Sequence, residues 1–154
     1  MVDRPSAYLD ALHLLARRDL SVRQTRGRLL DRDHDPEQVE AAIAHLLETG
    51  ALDDARVARE YATTALKVKG RGRLRIQQEL RAKGIAREVA TEAVGDVFGD
   101  VDERALIARA IQKKLRGKPR VASRPEMARL YQSLLRQGFT PAAVRAALEK
   151  LVNS

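Results

Sequence analysis
A chain of 154 residues with 44% hydrophobic content is long and apolar enough to fold around a core, which excludes wholesale disorder. The aromatic share is only 3%, so Ala and Leu carry much of the apolar content and closely packed helices are favoured over a deep ligand cavity. A net charge of +8 and a pI near 10.3 ask for a polyanionic partner or one with an acidic face, and the lack of cysteine excludes disulfides and thiolate chemistry, in keeping with a reducing cytoplasm.

The opening MVDRPSAYLDALHLLARR is broken by Asp3, Asp10 and several arginines, so it does not read as a signal peptide. No apolar run approaches the ~20 residues a bilayer span needs. A soluble, cytoplasmic protein with no membrane partner is expected.

Apolar residues recur at helical spacing along the chain, and no sustained alternation suggests a strand. Tyr8, Leu12 and Leu15 form the first stripe. Ser21 then stands as the N-cap of a helix from about Val22 to Leu30. Asp35 and Pro36 open a third helix, whose buried face is Val39, Ala42, Ile43, Leu46 and Leu47, and which stops at Thr49-Gly50. The same grammar returns. Asp53 or Asp54 caps a helix with Val57, Tyr61 and Ala65 on one side, then RLRIQQELRAKG and IAREVATEAVGDVF follow. A third pass reads VDERALIARAIQKKL, SRPEMARLYQSLLRQG and FTPAAVRAALEKLV.

The internal match is clearest between LRAKGIAREVATEAV and LLRQGFTPAAVRAAL, where a helix ends in Gly84 or Gly138, an apolar residue follows (Ile85, Phe139), and a new helix starts. LLDRDHDPEQVEAAI fits the same frame with Asp33 in the glycine position, giving periods of 51 and 54 residues. The expected fold is all-α: three tandem three-helix modules, over 6–52, 53–100 and 101–152, forming an elongated, curved helical repeat protein. A mobile basic linker is expected at Arg116 to Pro125, inside the third module. Leu30, Leu80 and Leu135 are assigned to buried helix faces, so an aspartate at any of them is expected to unfold a module.

Catalytic signals are weak. His13, His34 and His45 have neither metal-ligand spacing nor a cysteine to share a metal, and they read as surface or partly buried polar groups. The Asp53-Asp54 pair sits at a helix start, where capping is a simpler account than acid–base work. The GRG at Gly70 to Gly72 matches neither of the phosphate-cradling glycine patterns. No enzyme activity, cofactor or metal is expected.

Charge is the stronger signal. KVKGRGRLRIQQELRAKG, Lys67 to Gly84, sets seven cations against the single acid Glu79, and KKLRGKPRVASR, Lys113 to Arg124, has six cations and no acid. Each run is net +6, together more than the +8 of the chain, so the remainder is net −4. A solvated helical face would interleave glutamates; these runs do not. They read as a binding surface made of Lys67, Lys69, Arg71, Arg73, Arg75, Arg81 and Lys83, with Lys113, Lys114, Arg116, Lys118, Arg120 and Arg124 as a second contact. Neither run holds an aromatic residue for base stacking, which leaves phosphates or an acidic protein face as the partner.

The motifs ALHLLARRDLS, LETGALDDARVAREYA, KGRGRLRIQQELRAKGI and LLRQGFTPAAVRAALEKL, in that order over about Ala7 to Val152, resemble the RecX family of RecA regulatory proteins. The departures are Val57 where the family commonly has an aromatic, Asp33 for a glycine, and the inserted GKPRVASRP. The resemblance implies a monomeric, non-catalytic protein of three-helix repeats that binds within the groove of RecA filaments on single-stranded DNA. It implies limited filament growth, promoted disassembly, and lowered ATP hydrolysis, strand exchange and co-protease activity. The basic runs are carried over as a charged face for RecA and DNA. The competing expectation is a standalone DNA-binding protein, nucleoid-associated or of helix-turn-helix type.

Overall fold
In the computed structural model, residues 6–152 are described; Asp3 of the opening stretch lies outside them. Among the described residues there are nine helices and no strand: α1 (Ala7–Arg17), α2 (Val22–Asp31), α3 (Pro36–Thr49), α4 (Asp54–Lys67), α5 (Arg73–Ala82), α6 (Arg87–Phe98), α7 (Glu103–Leu115), α8 (Arg124–Gln137) and α9 (Pro141–Val152). None is long and apolar enough to cross a membrane.

Short polar side chains start these helices, because the first backbone N–H groups of a helix have no partner within it. Ser21 accepts from the Gln24 amide while the Gln24 side chain accepts from the Ser21 amide, a reciprocal capping box. Asp35 caps α3 ahead of Pro36, Asp102 caps α7, and Ser123 caps α8. The acidic pair divides its labour: Asp53 accepts from the Arg56 amide at the start of α4, and Asp54 accepts from the Val22 amide, 2.9 Å away at the start of α2. Both carboxylates are therefore structural.

The repeat is written in the backbone. The second helix of each repeat, α2, α5 and α8, is followed by a left-handed residue, at Asp33 (φ 63°), Gly84 (φ 83°) and Gly138 (φ 109°). In each, the next amide reaches back five residues to a carbonyl: His34 to Leu29, Ile85 to Leu80, Phe139 to Leu134. Asp33 thus makes the same turn as the glycines. Where the other two turns bury Ile85 and Phe139, the first tucks in His34, whose ring nitrogen lies 2.8 Å from the buried Asp10.

By contacts the described chain divides into two units, residues 6–61 with 80–93 and residues 62–79 with 94–152, so that α4, α5 and α6 contribute to both. In the first, α1, α2 and α3 close around Leu14, Leu20, Leu29, Val39, Ile43 and Leu46. In the second, α7, α8 and α9 close around Ile107, Ile111, Leu130, Leu134, Phe139 and Val144. Each fully buried Leu or Ile contributes about 1.5–3 kcal/mol relative to exposure.

Several sequence expectations need correction. Leu30 is 41% exposed and Leu47 48% exposed, because the apolar stripe of a helix is one residue wide at their turns and Leu29 and Leu46 already fill it. Leu80 is fully buried and Leu135 half-buried, so an aspartate at Leu30 meets water where one at Leu80 meets the core. Tyr8, Leu12 and Leu15 flank the first core, whose centre on α1 is Ala11 and Leu14. Arg124 and Pro125, assigned to the linker, are the first two residues of α8.

Asp10 also sets a pH dependence. Burial raises its pKa, but the hydrogen bond from His34 and the Arg32 guanidinium outweigh burial and hold the carboxyl below its ordinary value. A depressed folded-state pKa stabilises above the unfolded value, near ~3.9, and that stability is lost as pH falls through the lowered one. Asp10→Asn should therefore be less stable than wild type in urea melts at about pH 7, the gap narrowing below about pH 4. A gap that is the same at both pH values would contradict the assignment.

Candidate anion-binding groove
Three elements of the second unit converge on one recess: the α4–α5 turn, the last turns of α7, and the end of α8. Gly70 takes a left-handed conformation (φ 63°) and ends α4, letting the chain double back before α5. Gly72 then passes so close to the end of α8 that a Cβ there would stand 2.5 Å from the Gly138 carbonyl carbon and oxygen. The approach is held by backbone bonds, Gly72 N–H to Gln137 C=O at 2.9 Å and Leu74 N–H to Gly138 C=O at 3.1 Å. The Gln137 side chain adds a third by donating to the Gly70 carbonyl at 2.8 Å. The GRG tripeptide is thus a docking turn, in which Gly70 is needed for its left-handed conformation and Gly72 for close approach.

The recess so formed has a volume of about 520 Å³ and is lined by six cations, Lys69, Arg71, Arg75, Lys113, Lys114 and Arg136. Ser133 and Gln137 add polar groups, and Ala110 is its only apolar lining residue. Two basic runs some forty residues apart in sequence meet here. Burial lowers the pKa of Lys114, and the positive charges of Arg136 and Lys113 lower it further.

The cations are not equivalent. Glu79, the one acid of the first run, binds Arg71 at 2.5 Å and lies 3.8 Å from Arg75, whose guanidinium also reaches the Arg136 carbonyl. The other Glu79 oxygen, Oε1, is buried with no hydrogen-bond partner among the described residues, so removing Arg71 would leave a poorly solvated carboxylate uncompensated. Arg73 does not line the recess. Its guanidinium bonds Glu103 and lies 4.9 Å from the centre of the Phe98 ring. Lys69, Lys113, Lys114 and Arg136 have no acidic partner among the described residues.

The remaining candidates lie elsewhere. Lys67 is exposed at the end of α4 and is not part of the lining. Arg81 and Lys83 belong to the first unit, where the Lys83 ammonium sits 4.6 Å over the Tyr61 ring. Arg116 ends α7 in a left-handed conformation, and Lys118 and Arg120 are exposed in the loop that follows. Arg124 lines a separate recess with Met127 and Tyr131. The second basic run is therefore split after Lys114. Arg136 was not among the sequence candidates, because it is a lone cation between Leu135 and Gln137 and adds nothing to a local charge count.

Other potential sites resolve as structure. Among the described residues, no group of three His, Cys, Asp or Glu could hold a metal ion. His34 is bonded to Asp10, and the His45 ring lies 4.7 Å from that of Tyr8. A larger recess between α7 and α9 is walled mainly by alanines, Ile107, Ile111 and Leu151, and its charged lining is of both signs, Asp102 and Glu103 against Arg104 and Lys150.

Comparison with known proteins covers almost the whole chain. The first, second and third three-helix domains of RecX match residues 7–46, 53–94 and 102–148. A protein of Halorhodospira halophila named regulatory protein RecX is 40% identical over 137 residues, covering 89% of this chain and 83% of its own. Another of that name from Pelodictyon phaeoclathratiforme is 32% identical over 148 residues, covering 96% and 90%. The crystal structure of RecX from Lactobacillus salivarius superposes with a TM-score of 0.82 over 96% of both chains at 20% identity, a likeness of fold.

These ion pairs decide which substitutions can test the recess. Replacing Arg71, Arg73 and Arg75 together by glutamate cannot test docking alone, since it sets new carboxylates beside Glu79 and Glu103. Arg73→Gln should lower stability by about 1 kcal/mol, a value already discounted for partial exposure. Lys113→Gln should stay within about 0.5 kcal/mol of wild type. Equal effects in urea denaturation would contradict the division into paired and unpaired cations.

Proposed function
This chain belongs to the RecX family of regulatory proteins, and on that premise we propose that it regulates RecA by binding the filament RecA forms on single-stranded DNA. Bound there as a monomer in the cytoplasm, it limits filament growth and lowers RecA's ATP hydrolysis, strand exchange and co-protease activity, and so modulates recombination and repair. Its three modules, 6–52, 53–100 and 101–152, act as successive docking units, with the loop from Arg116 as a mobile joint.

The observation that carries this reading is the charge segregation: a chain of net +8 whose excess is gathered in two runs, parts of which line one recess. A filament on DNA offers a dense array of negative charge, and a basic recess raises both the rate and the strength of association with it. Lys69, Lys113, Lys114 and Arg136 form the centre of the docking face. Lys67, Arg116, Lys118 and Arg120 are exposed cations that extend it.

The test is the rate of single-strand-dependent ATP hydrolysis by RecA, titrated with this protein. Progressive loss of rate at well under one copy per RecA is expected. Loss that sets in only when the protein coats the DNA would overturn the regulator reading in favour of a standalone DNA-binding protein.

A further inference from the structure
We infer that the recess of the second unit binds a nucleic-acid sugar–phosphate backbone directly, through Lys69, Lys113, Lys114 and Arg136, with Arg71, Arg73 and Arg75 building the site. This deepens the regulator reading and rests on it for context, but it assigns a ligand to named residues that can be tested without RecA.

The sorting of charges comes first. An arginine bonded to a glutamate has little charge left to give, and freeing it to grip a ligand would strand a carboxylate. Arg71 and Arg75 share Glu79, and Arg73 has Glu103, so these three fix the α4–α5 turn and orient α5. The four cations without acidic partners come from three separate elements, the α4–α5 turn, α7 and α8. Their convergence costs mutual repulsion, and the charges of Arg136 and Lys113 add to the larger effect of burial in lowering the pKa of Lys114. A ligand of matching negative charge relieves that repulsion.

The lining then selects the chemical class of that ligand. Protein–protein contacts gather affinity from aromatic and aliphatic anchors in apolar pockets, and here Ala110 is the only apolar wall. A protein face with an acidic patch finds its charges met but nothing to bury. Phosphodiesters need no apolar wall: each brings a full charge and two acceptor oxygens, which Lys and Arg satisfy, and the Ser133 hydroxyl supplies a neutral donor. The lining holds no aromatic side chain, so bases do not stack and the contact is independent of sequence.

The experiment measures fluorescence anisotropy of labelled oligothymidylate with the full chain, without RecA, across about 50–200 mM salt. Four contacts predict a log–log salt slope near −2.8, about 0.7 per phosphate neutralised on a single strand. The variant K69Q/K113Q/K114Q/R136Q should lose nearly all of that slope while keeping the wild-type circular dichroism and melting temperature. The control variant R17Q/R18Q, which removes exposed cations of the first unit, should keep it. A polyglutamate of equal charge should compete poorly. An unchanged slope in the fourfold variant, or competition by polyglutamate at equal charge concentration, would overturn the assignment. Loss of oligothymidylate binding in the fourfold variant with RecA inhibition retained would uphold this assignment and count against the recess as the face that regulates RecA, whereas unchanged oligothymidylate binding with RecA inhibition lost would overturn this assignment alone.

Discussion
The second unit depends on one backbone-to-backbone contact, the seating of Gly72 against Gly138. Two amide–carbonyl bonds and the Gln137 side chain lock the α4–α5 turn onto the end of α8, in space that admits no Cβ. That contact has a local and a distant consequence. Locally it satisfies backbone groups of a tight turn that water would otherwise have to solvate. At a distance it brings residues 69–75 beside residues 133–137, so that cations remote in sequence share one recess. Glycine at both positions is a packing requirement, and at Gly138 a conformational one as well, since φ there is 109°.

Around that contact the protein divides its arginines and lysines by role. Arginines dominate the paired positions. A planar guanidinium can bond a carboxylate and lie over a ring at once, as Arg73 does between Glu103 and Phe98. Lysines supply most of the unpaired charge, and their flexible, strongly hydrated ammonium groups suit a ligand whose phosphates have no fixed register. The first unit uses the same economy differently, replacing the apolar residue of its helical turn by His34 and holding it with Asp10. A basic chain therefore folds without its charges tearing it apart, because the acids are spent on the cations nearest the packing.

Much of the fold was legible in the sequence, for physical reasons that can be named. Helical periodicity, the caps at Ser21 and Asp35, and the recurrence of a left-handed stop before an apolar residue gave the three-helix repeats. Asp33 was flagged as a departure at a glycine position, and it adopts the left-handed turn all the same, as short polar side chains can. Burial at helix edges was less legible: Leu29-Leu30 and Leu46-Leu47 are adjacent leucines of which one faces the core, and composition does not say which. The site was legible only as a density of charge. Lys69, Lys113 and Lys114 were within it, but pairing decides whether a cation is available, and pairing is tertiary. Arg71, Arg73 and Arg75 belong to the same dense run, yet Glu79 and Glu103 claim them. Arg136 was missed because isolated charges leave no mark on a local count.

Amide hydrogen exchange at Gly72 and Leu74, in the full chain, tests most directly whether the turn is locked as described. Protection comparable to that of Ile76 and Leu134 in the surrounding core is the predicted result, since both amides are bonded to the end of α8 and open only with it. Exchange as fast as that of the exposed loop at Arg120 would mean that the turn moves freely, and the recess with its six cations would then have no fixed form.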